Sequence, residues 1–319
     1  MQGGDDVFAL VLETSASAVR AGDAGNASPV CSVSVEAADD DAPERSERVQ
    51  RAWRLAWQRL GRPLREDGEE KTSSEKVAPS IEHGSDDRGA TSTHATQPVL
   101  MVEPALPWDA TTRRALAQFA FYSLDVPGLF FLRSAVATTF CCTSVTALVL
   151  SLDDDGAIAA PVVNGYLLQK ALQHEPGAVI RWHRGVSNRP IDQSPVPLSE
   201  VEHLLFPTLP RLVFDAISAC DVDVRRDLFG NILVTGDAVP RIAGGALVPR
   251  LAEEMAEICP HLFKSRVAEA STKGVLHRGA SPAWVGGSIC ASLGTFHQLW
   301  VTRDEFAAAP DTVLEERCP

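Results

Sequence analysis

Three aspartates in a row, Asp153-Asp154-Asp155, follow the apolar run Thr146 to Leu150 and precede Gly156. Carboxylates after a strand suit a hard cation such as Mg²⁺, which takes oxygen ligands, and strand ends in α/β sheets host ligands. A solvated acidic turn explains the same residues with less and is the plainer reading. His174, His183 and His203 lack metal-ligand spacing, so they read as solvent-facing or capping side chains. Asp221, Asp223, Arg225, Arg226 and Asp227 alternate in sign, which suits a salt-bridged loop and helix start better than catalysis. The sequence contains no Walker loop, Rossmann fingerprint, nucleophile elbow or zinc motif. No catalytic residue and no metal site is therefore assigned.

The elements that would position these groups alternate between strand and helix. Val7 to Leu12 is a short apolar strand; small and hydroxyl residues follow, and Arg20-Ala21-Gly22 brings the chain back as a hairpin. Cys31 to Ala42 is short, acidic and turn-like. Ser46 to Leu60 is an amphipathic helix with Val49, Ala52, Trp53, Ala56, Trp57 and Leu60 on one face, which puts both tryptophans in a core. Arg65 to Gln97 is polar and nearly free of large apolar residues, so it cannot offset its ordering entropy and is expected to be a disordered acidic insertion. Beyond it come a strand (Pro98 to Pro104), a helix (Asp109 to Leu124), a strand (Val126 to Leu132) and a helix (Ala135 to Phe140). Pro161 to Ile180 reads as strand, turn and helix, Arg181 to Glu200 as a short polar linker, Val248 to Ile258 as a helix, and His261 to Leu276 as strand and loop. This order predicts α/β sheets covered by helices.

A chain of 319 residues, 45% of them hydrophobic, can bury a substantial core. Its formal charge of -13 argues against a strong direct grip on nucleic acid, which needs clustered Lys and Arg. Seven cysteines without C-x-x-C spacing, and no secretory leader, predict buried thiols in a reducing compartment. No apolar run free of charges is long enough to span a bilayer, so no membrane partner is expected.

The stretch Ser281 to Phe306 ties these elements together. Trp284 and Val285 are read as a strand end, Gly286-Gly287 as a tight turn, and Ser288 as the N-cap of a helix carrying Ile289, Leu293, Phe296, Leu299 and Trp300. Its pattern W-x-G-G-S-x-x-A-S-L-x-T-F-x-x-x-W resembles the last block of the actin family. The Glu315-Glu316-Arg317-Cys318-Pro319 end and the opening G-G-D-D-V are most similar to that family's actin-related protein 4 group, the nuclear actin-related proteins. The resemblance implies an actin-like fold, ribonuclease H-like duplicated α/β sheets covered by helices, over 1–319. Cys31 to Ala42 and Arg181 to Glu200 stand where the family inserts its two small outer subdomains, which are expected to be largely lost.

The resemblance also locates a nucleotide site and departures from it. Glu13 replaces the family's Asp in the first phosphate loop, Ser15 its Gly and Ala16 its Ser; in the second, Ser151 and Leu152 replace Asp-Ser, and Asp153 replaces the first Gly. Ser134 replaces the Gln that orients the attacking water, Ile158 the His beside that water, and Asp237 the second Gly of the adenosine loop. A Cβ at a phosphate turn and a lost hydroxyl both work against binding. What remains of the site is assigned to Glu13, Ser15, Ser17, Asp154 and Gly236. No cofactor is assigned; ATP with Mg²⁺ is what the family implies, and hydrolysis by its mechanism is not expected. The resemblance implies a non-catalytic nuclear subunit of chromatin-remodelling or histone-acetyltransferase complexes. It would pair with actin and hold a scaffold helix in a lower groove lined by Phe140, Thr143, Tyr166, Ile289, Leu293, Thr295 and Leu299, with nucleosome contact indirect. The alternative is a nucleotide-binding, actin-like ATPase of a filament or cytoskeletal complex.

Overall fold

A computed structural model of the protein describes residues 9–35, 45–64, 97–176, 197–241, 245–273 and 280–318. Most of the expected insertion at Arg65 to Gln97, most of the linker at Arg181 to Glu200, the far part of Cys31 to Ala42, and His183 lie outside the described residues. The first sheet contains β1 (Leu10–Thr14), β2 (Ala18–Asp23), β3 (Cys31–Ser34), β4 (Val99–Val102) and β5 (Gly128–Leu132). The second contains β6 (Ala147–Asp153), β7 (Gly156–Val163), β8 (Tyr166–Leu167), β9 (Gln173–Glu175), β10 (Ile232–Thr235) and β11 (Val267–Glu269). A last strand, β12 (Val301–Thr302), returns to pair antiparallel with β5.

The same topology occurs twice. In the first sheet β1, β2 and β3 form an antiparallel meander, and β4 then β5 add in parallel on the other side of β1. In the second, β6, β7 and β8 repeat the meander, and β10 then β11 add in parallel on the other side of β6. Each lobe thus brings a hairpin and a parallel neighbour to the same place, and the two face one another across a cleft.

Helices cover both sheets, so the central strands read as apolar runs rather than alternating ones. Every residue of β1, β4, β5 and β6 is buried. On β6 the period of two still decides which core each side chain joins: Ala147 and Val149 pack with the first lobe, Leu148, Leu150 and Leu152 with the second. Over the first sheet lie α1 (Arg45–Arg59), with Trp53 and Trp57 in the core, and α2 (Ala110–Tyr122), whose N-cap Asp109 accepts from Thr112 N at 2.7 Å. The helix α3 (Ser134–Cys141) is shared with the cleft. The second lobe adds α4 (Leu198–Leu205), α5 (Leu209–Ser218), α6 (Val222–Phe229), α7 (Leu247–Ile258) and the single turn α8 (Ala270–Lys273). The chain then forms α9 (Pro282–Ala291), α10 (Arg303–Ala308) and α11 (Pro310–Arg317).

Several sequence expectations are corrected. Cys31 to Ser34 is not a turn but a third strand, paired with β2. Past Pro161 the described chain makes two short strands and a single 3-10 turn instead of a helix. Leu198 to Glu200, expected in the linker, begins α4. Arg225 satisfies the carbonyls of Cys220 and Ser218, at 2.9 and 2.7 Å, rather than an acidic neighbour.

The largest correction concerns Gly286-Gly287, which is no turn. The helix α9 starts four residues before Gly286, at Pro282, with Ser281 as its N-cap, and both glycines sit in its middle. A Cβ on Gly286 would fall 1.7 Å from the Ala137 carbonyl oxygen of α3, and one on Gly287 2.7 Å from Val102 Cγ2 of β4. The pair is there for closeness, letting α9 press onto α3 and the sheet at once. Ser288 is a buried mid-helix hydroxyl that donates to Asn26 O and accepts from Gly25 N, both at 2.9 Å, pinning the β2–β3 turn. Beyond Ser292 only a 3-10 segment, Gly294–Gln298, continues the helical path.

Beneath α2 the first lobe holds a buried charge group. Glu103 accepts from Arg113 Nε and from Arg133 Nη1, each at 2.6 Å, and Arg113 Nη1 reaches the Cys318 carbonyl at 2.8 Å. Two guanidinium groups share one carboxylate in the interior, which fastens the chain after α11 to the sheet.

Candidate functional site

A cavity of about 460 Å³ opens between the lobes, where the β1–β2 turn faces the end of β10. Glu13, Ser15, Arg20, Ser134, Asp153, Gly236, Asp237, Glu269 and Ser281 are among the residues that line it. The β1–β2 turn is closed by Ser15 N donating to Ala18 O at 2.8 Å, which holds the Ser15 and Ser17 hydroxyls toward the second lobe.

On the opposite wall Gly236 ends β10 with φ +112°, and a Cβ there would stand 2.2 Å from the Leu152 carbonyl oxygen. Only glycine lets the chain cross β6 this closely. The crossing sets Asp237 N 2.8 Å from Asp153 Oδ1 and turns the Asp237 side chain to the first lobe. Its carboxylate accepts from Ser15 Oγ and Ser17 Oγ, both at 2.7 Å, and from Arg20 Nη2 at 2.5 Å. Burial alone would raise the pKa of Asp237, but the Arg20 charge and the two hydroxyl donors hold it below the usual carboxylate range.

Glu13 and Asp153 lie on the opposite side of that balance. Glu13 takes Arg20 Nη1 at 3.3 Å and the Ser281 hydroxyl at 2.5 Å on one oxygen, while Oε2 is buried without a partner among the described residues. Burial pushes its carboxyl up. Asp153 is raised to about 6, first by burial and next by the Asp237 charge. Arg20 is the one basic residue among those lining the cavity, facing Glu13, Asp153, Asp237 and Glu269.

Of the sequence-derived site residues, Glu13, Ser15 and Gly236 line the cavity, and Ser17 reaches it through Asp237. Asp154 does not: it belongs to the turn after β6 and pairs with Arg241 at 3.8 Å, and the carboxylate in the cleft is its neighbour Asp153, which the sequence placed in the turn but β6 retains. Arg20, Asp237 and Ser281 are functional positions that sequence reasoning did not assign. Of these only Asp237 carried a signal, as a carboxylate directly after a glycine at a strand end. Ile158 is fully buried in β7, away from solvent. Among the described residues no group of three potential ligands could hold a metal ion, and no helix is long and apolar enough to cross a membrane. The His174 ring lies 2.9 Å from the Asp155 carbonyl, and His203 is exposed on α4.

A second feature lies at the other end of α9. Ile289, Leu293 and Leu299 are 39, 45 and 42% exposed, and Tyr166 on β8 is 63% exposed. Phe140 at the end of α3 is half-buried; Thr143, just past it, and Thr295 are exposed, and Thr143 takes a left-handed φ of 53°. The elements bearing these residues adjoin: α3 packs on α9 and beside β8, and the 3-10 segment follows α9.

Comparison with known proteins accounts for this architecture. The family model of actin matches residues 4–180 and 188–319. The chain is 26% identical to actin-related protein 4 of Yarrowia lipolytica over 438 aligned positions, covering 99% of this chain and 96% of the relative. Because the chain has 319 residues, more than a hundred of those positions have no counterpart in it. It is also 38% identical to actin-related protein 4 of Gibberella zeae over 123 residues, 38% of this chain and 25% of the relative. Against the Arabidopsis thaliana protein of the same name it is 35% identical over 111 residues, 35% of this chain and 24% of the relative. The duplicated sheets, the cleft between them and a match along nearly the whole chain lead to one conclusion: this protein is a member of the actin family.

Proposed function

We propose that this protein is a non-catalytic, structural actin-related subunit of nuclear chromatin-remodelling or histone-acetyltransferase assemblies, which pairs with actin and receives an amphipathic scaffold helix. The observation that carries the reading is the exposure of four large apolar side chains, Tyr166, Ile289, Leu293 and Leu299, on adjoining elements. Large apolar side chains clustered in solvent mark an interaction surface, and an amphipathic helix would bury its own apolar stripe against them. The similarity to proteins named actin-related protein 4 supports the placement in that group.

The cleft supports the non-catalytic part. Family-type ATP hydrolysis needs donors free to hold phosphates and a side chain to orient water. Here Ser15, Ser17 and Arg20 are engaged with Asp237, and Ser134 is too short for the second task. The net charge of -13 argues against a direct grip on nucleosomal DNA.

A tagged full-length chain, recovered from native nuclear extract with a salt-resistant wash, tests the reading. Actin together with remodeller or acetyltransferase subunits is the expected catch, and Leu293→Asp loses the scaffold subunit. Cytoskeletal partners, or a catch unchanged by Leu293→Asp, would overturn it.

A further inference from the structure

The donors around Asp237 make a built anion site. Two hydroxyls on one turn and a guanidinium on β2 converge on one carboxylate more than two hundred residues away in sequence, from the other lobe. Such a set, with short charge-assisted bonds, would recognise any phosphoryl or carboxylate oxygens. We propose that the Asp237 carboxylate is the resident ligand of this anion seat, and that by filling it the side chain both fastens the two lobes together and keeps phosphate-bearing ligands out of the cleft.

Three features support the proposal. The occupant is tethered: the chain at Gly236 lies close against Leu152 and Ala238 N donates to the Leu152 carbonyl at 3.0 Å, so a free anion competes with an intramolecular rival. The clasp is also anchored within the second lobe, since the Asp237 amide donates to Asp153, making one residue the junction of the β1–β2 turn, β6 and β10. The remaining lining acids, Glu13, Asp153 and Glu269, add repulsion toward any incoming phosphate once Arg20 is taken. The lowered pKa of Asp237 agrees with a charge that is wanted where it sits.

The inference stands on the cleft and not on the docking reading; loss of partners with Leu293→Asp and the behaviour of the seat are separate outcomes. The experiment uses the full chain, wild type and Asp237→Ala, with pyrophosphate and Mg·ATP as probes in equilibrium binding and thermal melting. Wild type is expected to show no saturable binding of either probe at millimolar concentration. Asp237→Ala is expected to melt several degrees lower, to bind pyrophosphate at least about tenfold more tightly than wild type, and to regain its melting temperature as it does so. Mg·ATP binding by the variant would show that a nucleotide fits the opened cleft; pyrophosphate alone would limit the seat to the phosphate itself. Asp237→Asn, which keeps the size but not the charge, should show a smaller change in the same direction. An Asp237→Ala protein that melts like wild type and ignores both probes overturns the proposal. So does saturable binding of either probe by wild type at micromolar concentration, whatever the variants do.

Discussion

At its N-terminal end α9 enters the cleft, where the Ser281 hydroxyl caps the helix and lies 2.5 Å from Glu13. At its C-terminal end the same helix runs out to Ile289 and Leu293, both left in solvent. At the first end polar groups that could hold a ligand are spent on one another: the hydroxyls on Asp237, Arg20 between two acids, Ser281 on Glu13. At the second, apolar surface lies unburied. A site that satisfies its own donors has little to offer a ligand, whereas exposed apolar surface gains free energy only when something covers it. The contrast is the ground for proposing a partner surface on the outside of the helix, away from the cleft.

The two ends are joined by the crossing at Gly286, and breaking it should have the largest effect. Gly286→Ala sets a Cβ 1.7 Å from the Ala137 carbonyl oxygen, backbone against backbone, and is expected to cost about 4 kcal/mol or more in urea unfolding. Gly294→Ala, with nothing within 4 Å of the new methyl, is the control and should change stability by about 0.5 kcal/mol at most. Next in size is Glu103→Gln, which leaves the buried Arg113 and Arg133 guanidinium groups facing a neutral amide and should cost about 3 kcal/mol by the same measurement.

The cleft end sharpens the contrast through pH. Asp153 ionises near 3.8 in the unfolded chain and near 6 in the fold, so the fold gives up stability as pH rises between those values. The full effect is about 3 kcal/mol at 1.36 kcal/mol per pKa unit. Asp153→Asn should flatten the urea midpoint across that window. Asp237 acts with the opposite sign: its lowered pKa contributes stability above 3.8 that disappears as pH falls through the folded value, so Asp237→Asn should remove an acid-side loss and, by taking away a charge that helps raise Asp153, narrow the window above it. The smallest effect on stability belongs to the open end, where Leu293→Asp should shift the midpoint by about 0.5 kcal/mol or less while partner capture is lost.

Much of this was legible in the sequence because it is local. Helical spacing placed Trp53 and Trp57 in the core, and apolar runs between turn residues gave the buried strands. Gly286-Gly287 misled for a physical reason: a glycine pair reads as a turn when only its own backbone freedom is weighed, but here the smallness of the residues is used by α3 and β4, which lie far away in sequence. Ser288 misled likewise, its hydroxyl serving Gly25 and Asn26 instead of a helix start. The resemblance sets Asp153 at a glycine position of the loop and so favours Asp154; the end of a strand cannot be fixed to one residue from sequence, and a shift of one turns a side chain to the other face. The Asp237 clasp was out of reach, since Ser15, Ser17 and Arg20 meet it only once both lobes have folded.

The most direct test of a cleft closed by its own side chain is amide hydrogen exchange of the full chain with and without Mg·ATP. The account predicts slow exchange of the Ala18, Asp237 and Ala238 amides, unchanged by the nucleotide, beside faster exchange from Leu293 to Leu299. New protection of the β1–β2 turn and of the chain after Gly236 on adding Mg·ATP would contradict it.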